Sequence, residues 1–540
     1  MKKSALIALL ATLPIGAMAQ TGFDAYQLSR NDLRGTARFM SMGGAFGALG
    51  GDLSTLGQNP GGIGIYRKSE VGFTLDIDMQ STTTTSTMDK VKDSQTKVGV
   101  NNIGYIGSSA TGSSVLPYFN WGFSYGRVNS FNRRYRGTTD MNGSLSNYIA
   151  GFTNADGGIS SDLLTSNEEN YWAYNHAPWL SILAYNSYMI NPTAGSPDSY
   201  NGLWGNGTYG VSDFQVEERG YVDEYEINLG GNLMNTVYWG IGVGIDDIDY
   251  QRFVYYEEYL NNACIPVTDT QGNIVAGQPT ATAGDVGFGL DSYKHISGTG
   301  FNFKAGVIVK PINELRLGLA VHTPTYYNLT ESSDAVVDYG YGYTDGALKP
   351  GYTSSPASVI NWKLRTPWRL MASAAAVIGS NAIVSVDYEY RPYQSMTTKT
   401  DGGDNLTEVN NDIKSYYKAA NILRIGAEYR ISSNFSVRAG YAFESTPTAT
   451  ELSESRTVMY TSNLDNSDTM PSYSTDNSTQ YITCGIGYRY KAFYADAAYV
   501  HKSTKSEYHP YTANDYTATP LSAEVKSSNN NLVLSVGFKF

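Results

Sequence analysis

The chain has 540 residues, of which 44 are tyrosine and 56 glycine, with 16% charged residues and a formal net charge of -12. The acidic balance and the lack of a basic stripe exclude a nucleic-acid binder. Two cysteines, Cys264 and Cys484, exclude a disulfide framework, although a single bridge between them stays open.

The N-terminus has three zones. Lys2 and Lys3 precede an apolar run from Ala5 to Ile15, and Ala17-Met18-Ala19 supplies the small-x-small pattern of a cleavage site. Residues 1–19 are therefore expected to be a secretory signal peptide. The run is too short for a membrane helix, and no later stretch is long and apolar enough to be one.

Residues 20–66 hold ten glycines from Gly35 to Gly64 and show no sustained alternation. Phe39, Met40, Met42, Phe46 and Leu49 have mixed spacings that suit short helices joined by glycine turns. Gly43-Gly44-Ala45-Phe46-Gly47 lacks the lysine of a phosphate-binding loop and follows no strand.

From residue 70 on, the dominant signal is period two. Val71, Phe73, Leu75, Ile77 and Met79 alternate with Gly72, Thr74, Asp76 and Asp78. Val237 to Asp246, Leu315 to His322, Leu423 to Arg430 and Leu532 to Phe540 behave alike. Fourteen strands are predicted near 70–80, 97–107, 117–127, 221–231, 236–250, 299–309, 314–325, 360–378, 382–392, 418–430, 435–445, 479–490, 493–503 and 529–540. Short connections alternate with long ones, chiefly 128–220, 251–298, 326–358, 393–417, 446–478 and 504–528. An even number of strands of about ten residues, with short turns at one end, is the pattern of a transmembrane β-barrel. The alternation also explains the low mean hydropathy of -0.31, because only one face of each strand meets lipid. The expected fold is an all-β, fourteen-stranded antiparallel barrel spanning 67–540, with residues 20–66 as a plug in its lumen. Fourteen strands enclose more space than wall side chains fill.

In the 128–220 loop, Leu145, Tyr148, Ile149 and Phe152 have helical spacing, and a second segment after Pro178 carries Trp179, Leu180 and Leu183. These helices are candidates for an external apolar landing site, or for a cap packed on itself. By strand parity Arg316, Arg365, Arg369, Arg424 and Arg438 point inward, with Asp387, Glu389, Glu428 and Glu444. They pair wall to wall or wall to plug, or one arginine clamps a ligand carboxylate. Asp246, Asp247 and Asp249 are a weak cation candidate, and no metal site is expected. Pro117, Gly122 and Gly126 make the third strand a candidate for a kink.

Several motifs are similar to those of the FadL-type outer-membrane transporters of long-chain fatty acids and other hydrophobic compounds. They are Ala37-Arg38-Phe39-Met40-Ser41-Met42-Gly43-Gly44-Ala45, Gln58-Asn59-Pro60-Gly61-Gly62, Leu315-Arg316-Leu317-Gly318, His322-Thr323-Pro324-Thr325, Thr366-Pro367-Trp368-Arg369 and Val437-Arg438-Ala439-Gly440-Tyr441-Ala442-Phe443, the last followed by Ser445-Thr446-Pro447. The family carries Asn-Pro-Ala where this chain has Asn59-Pro60-Gly61. The resemblance implies an outer-membrane barrel with an N-terminal hatch that takes up a hydrophobic small molecule passively. The ligand would land on an outer groove, pass to a pocket above the hatch and leave through the wall. Candidate lumen contacts are Arg316, Arg369, Arg438 and His322. The C-terminal Phe540 resembles the signal read by the barrel-insertion machinery, and a monomer in contact with outer-membrane lipids is expected. A haem or porphyrin receptor using His322, and a structural or secretion-associated barrel, are the alternatives. No cofactor and no catalysis are expected, since no Gly-x-Ser-x-Gly elbow accompanies the five histidines.

Overall fold

The computed structural model describes residues 22–165, 177–269, 273–275, 282–343, 348–449, 469–512 and 517–540. The signal-peptide expectation, residues 1–19, lies outside them. The wall is built from β1 (Glu70–Thr85), β2 (Lys90–Ala110), β3 (Tyr118–Ser130, continued by Arg133–Asp140), β4 (Tyr209–Leu233), β5 (Val237–Ile265), β6 (Thr282–Ile312) and β7 (Leu315–His322, continued by Tyr326–Gly342). Then follow β8 (Ser358–Arg365, continued by Arg369–Ile378), β9 (Ala382–Pro392), β10 (Ala419–Arg430), β11 (Phe435–Glu444), β12 (Tyr473–Tyr490), β13 (Phe493–His509) and β14 (Ala523–Lys539). Each strand pairs antiparallel with the next, and β14 pairs with β1 from Glu70↔Lys539 to Thr85↔Glu524. The fourteen-stranded barrel is thus closed, as lipid requires of any spanning sheet.

Outward positions carry an apolar belt around the wall. Phe73, Phe123, Ile227, Ile241, Val243, Leu319, Leu370, Ile425 and Leu534 are all exposed on it. Inward positions along the same stretches are mostly polar or glycine. Above the belt the pattern inverts. On β4, Phe214 and Val216 turn inward while Asp213, Gln215 and Glu217 face out; on β5, Val254, Tyr256 and Leu260 turn inward. β4, β5 and β6 are 25, 29 and 31 residues long, well beyond the roughly ten that cross a bilayer. Much of the predicted loops 128–220, 251–298 and 326–358 is therefore wall that continues above the membrane.

Two expectations fail locally. The third strand starts just after Pro117 and runs through Gly122 and Gly126 without a kink, pairing with β2 uninterrupted from Asn102↔Gly126 to Ala110↔Tyr118. Arg365 is exposed and points outward, because Thr366–Trp368 interrupt β8 and reverse its parity. Cys264 and Cys484 are both free thiols.

Residues 22–66 lie inside the ring. They form α1 (Gly22–Ser29), α2 (Ala37–Ser41) and two 3-10 turns, Leu53–Thr55 and Pro60–Ile65. Their hydrogen bonds reach the wall on many sides: Ala37 N donates to Ser535 Oγ at 2.7 Å, Gly43 N to Thr483 Oγ1 at 3.0 Å and Gly47 N to Asp387 Oδ2 at 2.8 Å. Asn101 Nδ2 donates to Gly35 O at 2.8 Å and Asn120 Nδ2 to Ile63 O at 2.7 Å.

Glycines on the wall let this backbone come close. A Cβ on Gly318 would collide with Gly47 O, and one on Gly240 with Pro60 O. Neither oxygen can move without its backbone. Gly318→Ala is expected to lower barrel stability by about 1–3 kcal/mol in detergent unfolding, as overpacking does. Gly126→Ala, whose nearest neighbour is 3.7 Å away, is the control and should change little.

Candidate functional site

The Asn59-Pro60-Gly61 motif is a cap. Asn59 Oδ1 accepts from Gly61 N at 3.0 Å, Pro60 opens the 3-10 turn, and Asn59 Nδ2 donates to Gly47 O. A Cβ at Gly61 would meet Gly306 O at 2.9 Å, so glycine fits here where alanine would press on the wall.

Below the plug lies a vestibule of ≈530 Å³ lined by Arg316, Arg438, Glu428 and Asp496 among others. Arg316 Nη1 donates to Leu49 O at 2.8 Å. Arg438 bridges Glu428 and Asp496, both at 2.6 Å, and Arg38 of the plug reaches Glu428 at 3.0 Å. Arg316 and Arg438 are therefore engaged in holding plug to wall.

Above the plug is a second cavity of ≈110 Å³. Leu33, Phe39, Leu53, Ile422 and Phe443 give it an apolar side, and Arg369, Arg391 and Arg424 a cationic one. All three guanidiniums converge on Glu389, each at 2.7 Å, and Glu389 is fully buried. Asp32, Glu224, Glu226 and Glu444 line the cavity as well, with Arg34 and Arg127, so the cationic side is the local cluster of Arg369, Arg391 and Arg424 and not a surplus over the whole lining. Arg424 Nη1 is buried with no hydrogen-bond partner among the described residues. Arg391 is a lumen cation that the sequence reading missed, as are Lys294 and Lys304, although Arg391 continues the inward parity of Asp387 and Glu389.

A smaller pocket of ≈40 Å³ adjoins the wall at β6, β7 and β8. Lys304 is held there by Glu224 at 2.6 Å and by Glu226, and Asp246 accepts from Tyr327 Oη at 2.7 Å. His322 is buried with Nε2 2.9 Å from Gln58 O, so that nitrogen is occupied by the plug backbone. Asp249 pairs with His295 at 3.0 Å and does not converge with Asp246.

The external candidates sit in α3 (Leu145–Thr153) and α5 (Trp179–Asn186), which flank α4 (Ser161–Leu164) in the chain. Leu145, Ile149, Phe152, Leu180 and Leu183 are buried in one cluster with inward residues of the extended wall, and Trp179 is partly buried against it. The two helices pack on each other and on the inner face of the extended wall, so among the described residues these side chains form a packed cap and not an open groove. A second apolar layer follows beneath, where Tyr26 of α1 stacks on Tyr417 at 4.9 Å and α6 (Thr407–Tyr416) contributes Val409 and Ile413.

Glu258 pins the cap. It lies above the belt, fully buried, and accepts from Ser144 Oγ at 2.6 Å, Leu145 N at 2.8 Å and Tyr256 Oη at 2.9 Å. Burial pushes its carboxyl up to about 7 from the ordinary 4.5. The folded cap therefore holds this proton more tightly than the opened one does. Its stability from Glu258 is greatest below the ordinary value and is lost as pH rises through about 7. Protection factors in 145–153, taken relative to the intrinsic exchange rate at each pH, should be higher at pH 5.5 than at pH 8, and Glu258→Gln should flatten the difference; equal protection factors in the parent would refute this.

No family profile matches the chain. A long-chain fatty acid transport protein of Salmonella typhi is 24% identical over 248 residues, 42% of this chain and 50% of that protein. The chain thus matches about half the length of this curated relative. In fold it is similar to a Pseudomonas aeruginosa FadL homologue, with a TM-score of 0.50 and 13% identity over 95% of this chain and 100% of that one. The P. putida toluene transporter TodX aligns with a TM-score of 0.48 and 13% identity over 94% of this chain and 99% of that one.

Proposed function

We propose that this bacterial outer-membrane β-barrel, similar to long-chain fatty acid transport proteins, passively admits an amphiphilic hydrophobic molecule with an anionic head. The observation that carries this reading is the cavity above the plug, apolar on one side and rich in guanidinium on the other. Arg369 and Arg424 are the proposed head-group contacts, since bidentate donation to a carboxylate suits arginine. Residues 22–66 act as the hatch, and no catalytic step is involved. Native mass spectrometry of protein extracted in mild detergent tests the ligand class. A co-purified alkyl carboxylate that is lost in Arg424→Ala supports the reading; a porphyrin, or a carboxylate indifferent to Arg424, contradicts it.

A further inference from the structure

The short turns mark the periplasmic end of an outer-membrane barrel. That end is cationic, although the whole chain has a net charge of -12. Eight cationic side chains and two carboxylates, Glu428 and Asp496, line the ≈530 Å³ vestibule below the plug. Arg38 and Arg438 engage both carboxylates. Lys539 pairs with Glu70 at 2.8 Å. The remaining five, Arg67, Lys68, Arg316, Arg430 and Arg489, form no salt bridge among the described residues. Arg316 spends Nη1 on the plug carbonyl of Leu49, and its Nε is buried with no partner among the described residues.

These cations face the vestibule and not the bilayer. Arg430 follows Tyr429, and Lys539 follows Phe538; both aromatics are exposed on the lipid side. Arg489 pairs in register with Tyr494, another vestibule residue. Phospholipid head groups outside the ring therefore do not account for them. A lone inorganic anion does not either, because the cavity has the volume of a site for a much larger ligand. Apolar and aromatic seats lie beside the charges, among them Ile65, Tyr66, Val377, Ile383 and Tyr494. A peptide segment supplies both carboxylates and apolar side chains. The acidic groups of the far end are no obstacle to it. They stand beyond roughly 30 Å of hydrocarbon, whereas exposed charges are screened within about 8 Å.

We propose that the vestibule is a docking site for an acidic segment of a soluble periplasmic protein. Carboxylates of the segment meet Arg67, Lys68, Arg430 and Arg489 first, and the field of these cations steers the encounter. Arg316 lies deeper and joins the wall to the plug. The docked segment thus touches plug and wall together, since Arg38, Arg67 and Lys68 precede the first strand. Docking is independent of which molecule the barrel admits.

The test uses the full chain in nanodiscs, which leave both ends open to solvent, and fluorescent octaglutamate as the probe. Octaglutamate should bind, and octalysine should not. Arg430→Glu with Arg489→Glu should weaken binding about tenfold or more. Arg67→Glu with Lys68→Glu, which lies outside the wall strands and so spares barrel assembly, should do the same. Protection of Lys68 from acetylation compares octaglutamate with inorganic phosphate and with phosphatidylglycerol vesicles. Octaglutamate should protect Lys68 and leave Lys526, exposed at the opposite end, reactive. Absence of octaglutamate binding, binding unchanged in both variants, or equal protection of Lys68 and Lys526 overturns the proposal. Protection by phosphate or by vesicles, but not by octaglutamate, also overturns it and makes the vestibule a phosphate site.

Discussion

Replacing Glu389 with glutamine should destabilise the barrel by about 3–5 kcal/mol, because removing one partner leaves buried charge uncompensated. Three guanidiniums share this one carboxylate, so among the described residues no acceptor of equal quality stands within the cluster. The measurement is the denaturant midpoint in micelles. Adding Arg391→Met, which removes the most buried of the three cations, should recover part of the loss. A shift below about 1 kcal/mol would mean that the charges are solvated rather than buried.

Opening the barrel should require removal of two seals. The plug fills the lumen below the arginine cluster, and α3 and α5 form a packed cap above it. Deleting residues 22–66 alone, or replacing 142–207 by a short turn alone, should leave planar bilayers close to baseline conductance. The second deletion is feasible because Asp140 and Val211 are already paired across its ends. Both deletions together should give a stable open pore, since α6 also loses α1 as its partner. Full conductance from either single deletion would show that one seal is idle.

The membrane wall was legible because lipid imposes one rule, apolar out and polar in, at every second residue. That rule found all fourteen strands. It failed where its physical cause ends. Above the belt the outer face meets water and the inner face meets the cap, so Val254, Tyr256 and Leu260 reverse the pattern and the strands read as loops. It failed again at Thr366–Trp368, where an odd interruption turned Arg365 outward. The candidate arginines were legible as inward residues, but their division between Glu389 above the plug and Glu428 below it depends on how residues 22–66 are seated. Parity along a strand carries no information about that third dimension. The burial of Leu145, Leu180 and Leu183 was equally out of reach, since an apolar helical face looks the same whether it awaits a ligand or a neighbouring helix.

The most direct test of transport is accumulation of a labelled long-chain fatty acid by bacteria that lack their own transporter and carry this barrel in the outer membrane. Cells with the parent chain should take up the label faster than cells with an empty vector, and Arg369→Ala with Arg424→Ala should return uptake to the empty-vector rate at equal barrel abundance. Uptake by the parent no faster than the empty vector would contradict the account.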